Sequence, residues 1–229
     1  MGINLSFMSC FHKRDLKILI TGLDAAGKTT LLYRLHTHQL ISTIPTIGWN
    51  VEDIEYRSVR MQVIETGGSE KLRPLICHYW PGVDAVIFVA DSIDKDTSRI
   101  SELKAYIMHH NDAQELWDKP FLIIANKQDL PNAMSMEEMT TRLDLNRLQP
   151  GHKWYIAPVS CVTGEGLGAA MDWLLITLGR IKQSETITQP INNAFVDMND
   201  TFPLDVDDKG QQKWRYILRG WNRLKNVFP

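Results

Sequence analysis

Leu16-Lys17-Ile18-Leu19-Ile20-Thr21-Gly22-Leu23-Asp24-Ala25-Ala26-Gly27-Lys28-Thr29-Thr30 decides the fold. An apolar run of strand length ends at Gly22, and Leu31, Leu32 and Leu35 then recur at helical spacing behind Lys28. Between the two, Gly22 to Thr29 matches G-x-x-x-x-G-K-[ST] in the strand-to-helix setting that this pattern requires. The glycines let backbone N–H groups curl around phosphate oxygens, and the helix N-terminus adds positive potential. Gly22, Asp24, Ala25, Ala26, Gly27, Lys28, Thr29 and Thr30 are therefore the expected phosphate cradle. In it, Lys28 reaches the β/γ-phosphates and the Thr29 hydroxyl faces Mg²⁺.

Outward from this loop, strands alternate with helices. Residues 51–56 and 61–64 read as a strand pair joined near Arg57-Ser58, and 83–90, 121–125 and 154–159 are further apolar runs. Runs apolar along their whole length suit strands covered on both faces, so the fold class is α/β with a mostly parallel sheet between helix layers. Helices are expected over 97–109, 135–143 and 167–181.

Asn126-Lys127-Gln128-Asp129 follows the run 121–125, at the carboxyl end of a strand, where ligand-binding residues collect. Asp129 can accept hydrogen bonds from guanine N1–H and the 2-amino group, an edge that adenine does not present. The Lys127 stem can lie over the purine, and Asn126 can tie this loop to the phosphate loop.

These stretches, with Thr43-Ile44-Pro45-Thr46-Ile47-Gly48, Gly67-Gly68, Arg73-Pro74 and His78-Tyr79, resemble small GTPases of the ADP-ribosylation factor and factor-like group. The resemblance covers residues 2–182 and implies a Ras-like fold with a six-stranded sheet and a GTP/GDP switch. It makes Thr46 the threonine that coordinates Mg²⁺ and senses the γ-phosphate, and Gly68 the donor of a backbone N–H to that phosphate. It places Ser160-Cys161-Val162 in the last guanine-contacting loop, with the Val162 backbone at the base oxygen. Partners implied are an exchange factor, an activating protein and effectors that read Trp49, Ile64 and Tyr79. The implied setting is vesicle or organelle-membrane traffic on the cytosolic face of intracellular membranes, Golgi or endosomal, with the protein a monomer.

Two departures concern chemistry. Ser69 stands where the group carries a glutamine that orients the attacking water, and Glu65 where it carries an aspartate that helps hold Mg²⁺. A short hydroxyl at position 69 positions water poorly, so intrinsic hydrolysis is expected to be slow. Two outcomes stay open: rescue by an activating protein, or a long-lived GTP form. A scaffold that holds nucleotide permanently and works through its surfaces is the alternative function. Ile64 also departs, standing where an aromatic is usual.

The ends lie outside the sheet pattern. Met1-Gly2-Ile3-Asn4-Leu5-Ser6 fits an N-myristoylation signal at Gly2, and Ile3, Phe7, Met8 and Phe11 suggest an amphipathic helix over 1–13. After a GTPase domain over 14–182 comes an acidic linker, 183–208. Residues 209–229 then carry six Lys or Arg and no acid at amphipathic-helix spacing. That helix reads as a second membrane anchor, a partner-binding or self-docking helix, or a solvated tail.

Composition excludes several classes. Among 229 residues, 25 Lys+Arg against 27 Asp+Glu give net −2, so no dominant nucleic-acid-binding surface is expected. Cys10, Cys77 and Cys161 are too few and too scattered for a disulfide framework or zinc site, and Cys77 and Cys161 read as small buried residues. No run approaches the roughly 20 apolar residues of a spanning helix. His36/His38 and His109/His110 read as helix-surface histidines, and Asp91 and Asp94 as caps of the following segment.

Overall fold

The computed structural model describes residues 15–37, 48–69, 73–182, 205–206 and 212–213. The chain divides into two units, 1–188 and 189–229. The first holds β1 (Leu16–Thr21), α1 (Lys28–Thr37), β2 (Trp49–Tyr56), β3 (Val59–Thr66), β4 (Ala85–Asp91), α2 (Thr97–Asn111), β5 (Phe121–Asn126), α3 (Met136–Arg142), β6 (Trp154–Pro158) and α4 (Leu167–Thr177). The strand order is β2-β3-β1-β4-β5-β6, and every neighbouring pair is parallel except β2–β3. This is the Ras-like six-stranded sheet that the resemblance implies.

Alternation explains the apolar runs. Ile18, Ile20, Ile87, Val89, Leu122 and Ile124 pack with Leu31, Leu32 and Leu35 of α1 and Leu174 and Leu175 of α4. Their alternates Leu19, Val86, Phe88, Phe121, Ile123 and Ala125 pack with Leu103 and Ile107 of α2 and Met139 of α3. A strand with both faces covered has no polar position to show, hence its unbroken hydrophobicity.

Element ends follow local chemistry. Ser135 caps α3, its Oγ accepting from the Glu138 amide at 3.1 Å. The helix expected over 167–181 stops at Thr177, because Gly179 adopts φ +64° and turns the chain. α2 runs on to Asn111, so His110 lies inside it. Asp91 and Asp94 cap the segment after β4, accepting from the amides of Ile93 at 3.0 Å and Asp96 at 3.2 Å. The cap of α2 itself is Asp96, its Oδ1 accepting from the Ser98 amide at 2.8 Å. The reason is position: the helix begins at Thr97, and only the preceding residue can reach its free amides.

The β2–β3 turn places Arg57 and Ser58 at φ +49° and +61°, a strained conformation for residues with a Cβ. Contacts to α4 hold it. The Tyr56 hydroxyl donates to Asp172 at 2.9 Å, and Arg57 pairs with the same carboxylate.

In the second unit, β7 (Asp205–Val206) and β8 (Gln212–Lys213) pair antiparallel. This corrects the amphipathic helix expected over 209–229 at residues 212–213. Their backbone groups bond across to another strand and are lost to a helical ladder. The segment 1–13 with Gly2 lies outside the described residues.

Candidate functional site

The loop between β1 and α1 is built by close approach. Gly22 has φ +136°, and a Cβ there would collide with the Val89 carbonyl oxygen. Gly68, just beyond β3, lies against the same loop, where a Cβ would meet the Asp24 amide and stand 2.6 Å from the Leu23 carbonyl carbon. Lys28 opens α1 and is buried, its Nζ donating to the Leu23 carbonyl at 2.7 Å across the loop. The first turn of α1 carries no acid, so its N-terminal potential is not cancelled locally.

Beside Lys28, the Thr29 hydroxyl donates to Glu65 Oε1 at 2.5 Å, and the Asn50 amide donates to Oε2 at 2.8 Å. Glu65 is fully buried. The extra methylene relative to aspartate is thus taken up without displacing the strand, which pairs Glu65 with Asn50 in register. A hydroxyl and a carboxylate together form an oxygen-only donor set, which fits Mg²⁺ better than a softer metal. Thr30 is half-buried on α1, Ser69 is exposed, and Thr46 lies outside the described residues. No group of three or more His, Cys, Asp or Glu suited to a metal occurs among the described residues.

Asn126, at the end of β5, joins three loops. Its Nδ2 donates to the Ala26 carbonyl at 2.8 Å, and its Oδ1 accepts from the Cys161 amide at 2.9 Å. Lys127 follows at φ +69° and pairs with Asp91 at 2.5 Å. Gln128 anchors the turn through its amide to Val159 O at 3.2 Å and its side chain to Ser92 Oγ at 2.8 Å. Asp129 is left exposed. Cys161 is buried, and burial pushes its thiol pKa up to about 12, so it is a packing residue rather than a nucleophile. Val162 is exposed at the rim.

Around the edge strand the outcome is mixed. The Trp49 and Tyr79 rings meet at 4.5 Å between centroids. Ile64 is only 4% exposed and belongs with Leu19, Ile76 and Trp80 to the core. It is therefore corrected from a surface position to a packing one, because the turn helix Arg73–Tyr79 brings Ile76 over it. Val51 and Leu75 are the exposed apolar residues there instead.

Cys77 is also corrected. It is exposed on that turn helix, its Sγ donating to the Pro74 carbonyl at 3.4 Å. His110 is fully buried rather than on a helix surface, while His36 pairs with Glu52 at 3.2 Å. Three further residues belong to the site: Asn50 and Asp91 through the contacts above, and Arg99, whose guanidinium bonds Asp94 and Asp24. Only Arg99 carries a sequence signal, being a cation in the first turn of a helix, where the dipole opposes it.

Comparison with known proteins agrees with the geometry. The family model described as the ADP-ribosylation factor family matches residues 4–178. A solved structure of the Arl6/BBS3 small GTPase from Trypanosoma brucei, with a bound nucleotide analogue, GppNp, is 32% identical. It matches with a TM-score of 0.67, over 73% of this chain and 99% of its own. The chain belongs to the ADP-ribosylation factor family.

Proposed function

We propose that this protein is a guanine-nucleotide switch that binds GTP and GDP and recruits effectors from its GTP form at an intracellular membrane. The observation that carries the reading is the Asn126 bridge, which fixes the loop bearing Asp129 to the loop bearing Lys28. Base recognition and phosphate binding are thereby parts of one site. Lys28 exchanges its carbonyl partner for phosphate oxygens, and the amides of residues 24–27 line the same tail. Asp129 accepts the guanine N1–H and amino group. The Lys127 stem lies along the base, its ammonium pinned by Asp91.

Thr29 and Glu65 would hold Mg²⁺, which supplies charge neutralisation between the phosphates. Titration of nucleotide-stripped protein with fluorescent GTP and ATP tests the reading. GTP is expected to bind at least a hundredfold more tightly. Asp129→Ala is expected to remove most of that selectivity, since two hydrogen bonds to a charged acceptor are lost, each worth about 1.5–3 kcal/mol. Equal affinity for both nucleotides would refute it.

Hydrolysis is proposed to be slow because Ser69 is exposed and too short to bridge water and γ-phosphate. Ser69→Gln should raise the single-turnover rate by about ten- to a hundredfold, the usual effect of restoring a positioning group. An unchanged rate would free Ser69 of this role. Exchange factors, an activating protein and effectors are the proposed partners, with Trp49 and Tyr79 on the effector face. Attachment to Golgi or endosomal membranes through myristoylated Gly2, the segment 1–13 and the basic tail completes the proposal.

A further inference from the structure

Arg99 is the third residue of α2, a turn that contains no acid, where the helix dipole disfavours a cation. Its guanidinium is tied off the helix. Nε donates to Asp94, Nη1 donates to Asp24 Oδ1 at 3.2 Å, and Nη2 donates to the Asp24 carbonyl at 3.0 Å. One fork thus holds both the side chain and the backbone of a loop residue 75 positions away. Arg99, Asp91 and Asp94 line one side of a small open pocket whose other walls include Leu23, Ala26 and Leu103. Leu23 and Ala26 are held by the core, and the exposed Asp24 between them is held by its hydrogen bonds to Arg99.

Asp24 is the one acid between Gly22 and Thr30, and its amide lies where Gly68 closes on the loop. We propose that Arg99 is a positioning residue that holds Asp24 and offsets part of its charge beside the terminal phosphate, so favouring tri- over diphosphate nucleotide. This rests on the nucleotide-switch reading above. A carboxylate at that place repels a γ-phosphate more than a β-phosphate, because the third phosphate brings added charge closest to it. The pair is partly exposed, Arg99 at 33% and Asp24 at 64%, so the effect is a few-fold and shrinks with salt.

Dissociation constants for GDP and a non-hydrolysable GTP analogue, measured on the full chain by fluorescence titration, test this. Arg99→Ala should shift their ratio against the triphosphate by about two- to fivefold at low salt. Adding Asp24→Asn to that variant should return the ratio to within about twofold of the parent. Asp24→Asn alone, which removes the carboxylate while Arg99 stays paired with Asp94, should shift it the other way by about two- to fivefold, giving a readout even if Arg99→Ala folds poorly. An unchanged ratio in both single variants, equal weakening of both nucleotides, or no rescue in the double variant would overturn the proposal. Parent protein that bound neither nucleotide would instead overturn the switch reading, and this proposal with it.

Discussion

Asn126→Ala lowers the unfolding free energy by about 2–5 kcal/mol and weakens nucleotide binding with it. The side chain is 3% exposed and satisfies two backbone groups on different loops, the Ala26 carbonyl and the Cys161 amide. Truncation leaves both without that partner in a region closed to water, and each such loss costs about 1–3 kcal/mol. The two loops also lose their common anchor, so affinity falls for guanine and phosphate together. Urea unfolding and GDP titration of the same variant measure the two effects. Asn126→Asp is expected to be as damaging, because a carboxylate cannot donate to Ala26 O. Full stability in either variant would show that the bridge contributes little.

Stability is also expected to fall by about 3 kcal/mol between pH 6.5 and 4, through His110. Burial lowers its pKa from 6.5 to about 4. The ring is surrounded by Trp80, Phe88 and Tyr106, with His109 beside it adding positive charge when protonated. Nδ1 meets the Tyr106 carbonyl at 2.9 Å, and Nε2 has no partner among the described residues. Above pH 6.5 the residue is neutral in both states and contributes no pH dependence. Below it, the unfolded chain takes up a proton that the native state refuses, and stability declines until about pH 4, where both states are protonated. His110→Phe should flatten this part of the curve in urea unfolding at pH 7 and 4.5. An unaltered slope would assign the acid sensitivity to other groups.

Much of this architecture is legible in the residues. Strands β4 and β5 announce themselves because both faces are covered, and the phosphate loop because its spacing is set by backbone geometry. His110 was readable too: Leu103, Tyr106, Ile107 and His110 form one helical stripe, and its periodicity outweighed the polarity of the last member. The start of β2 was harder, since at this sheet edge only Ile54 is fully buried and the pattern loses contrast. Contacts such as Arg99 to Asp24 or Asn50 to Glu65 depend on which elements become neighbours. Local sequence can mark Arg99 as out of place in a first turn, but it does not name the partner.

The two-stranded hairpin of β2 and β3 joins distant parts of the molecule. Its tip is moored to α4 through Tyr56, Arg57 and Asp172, and its other end delivers Glu65 to Thr29. Side chains alternate along a strand, so the hairpin can slide against β1 only in steps of two residues, about 6.6 Å, if each residue is to keep its face. One such step would unmoor the tip and withdraw the carboxylate from Thr29 together. The contacts at the two rims of the sheet therefore hold one register in common, like pins through the two ends of a rod.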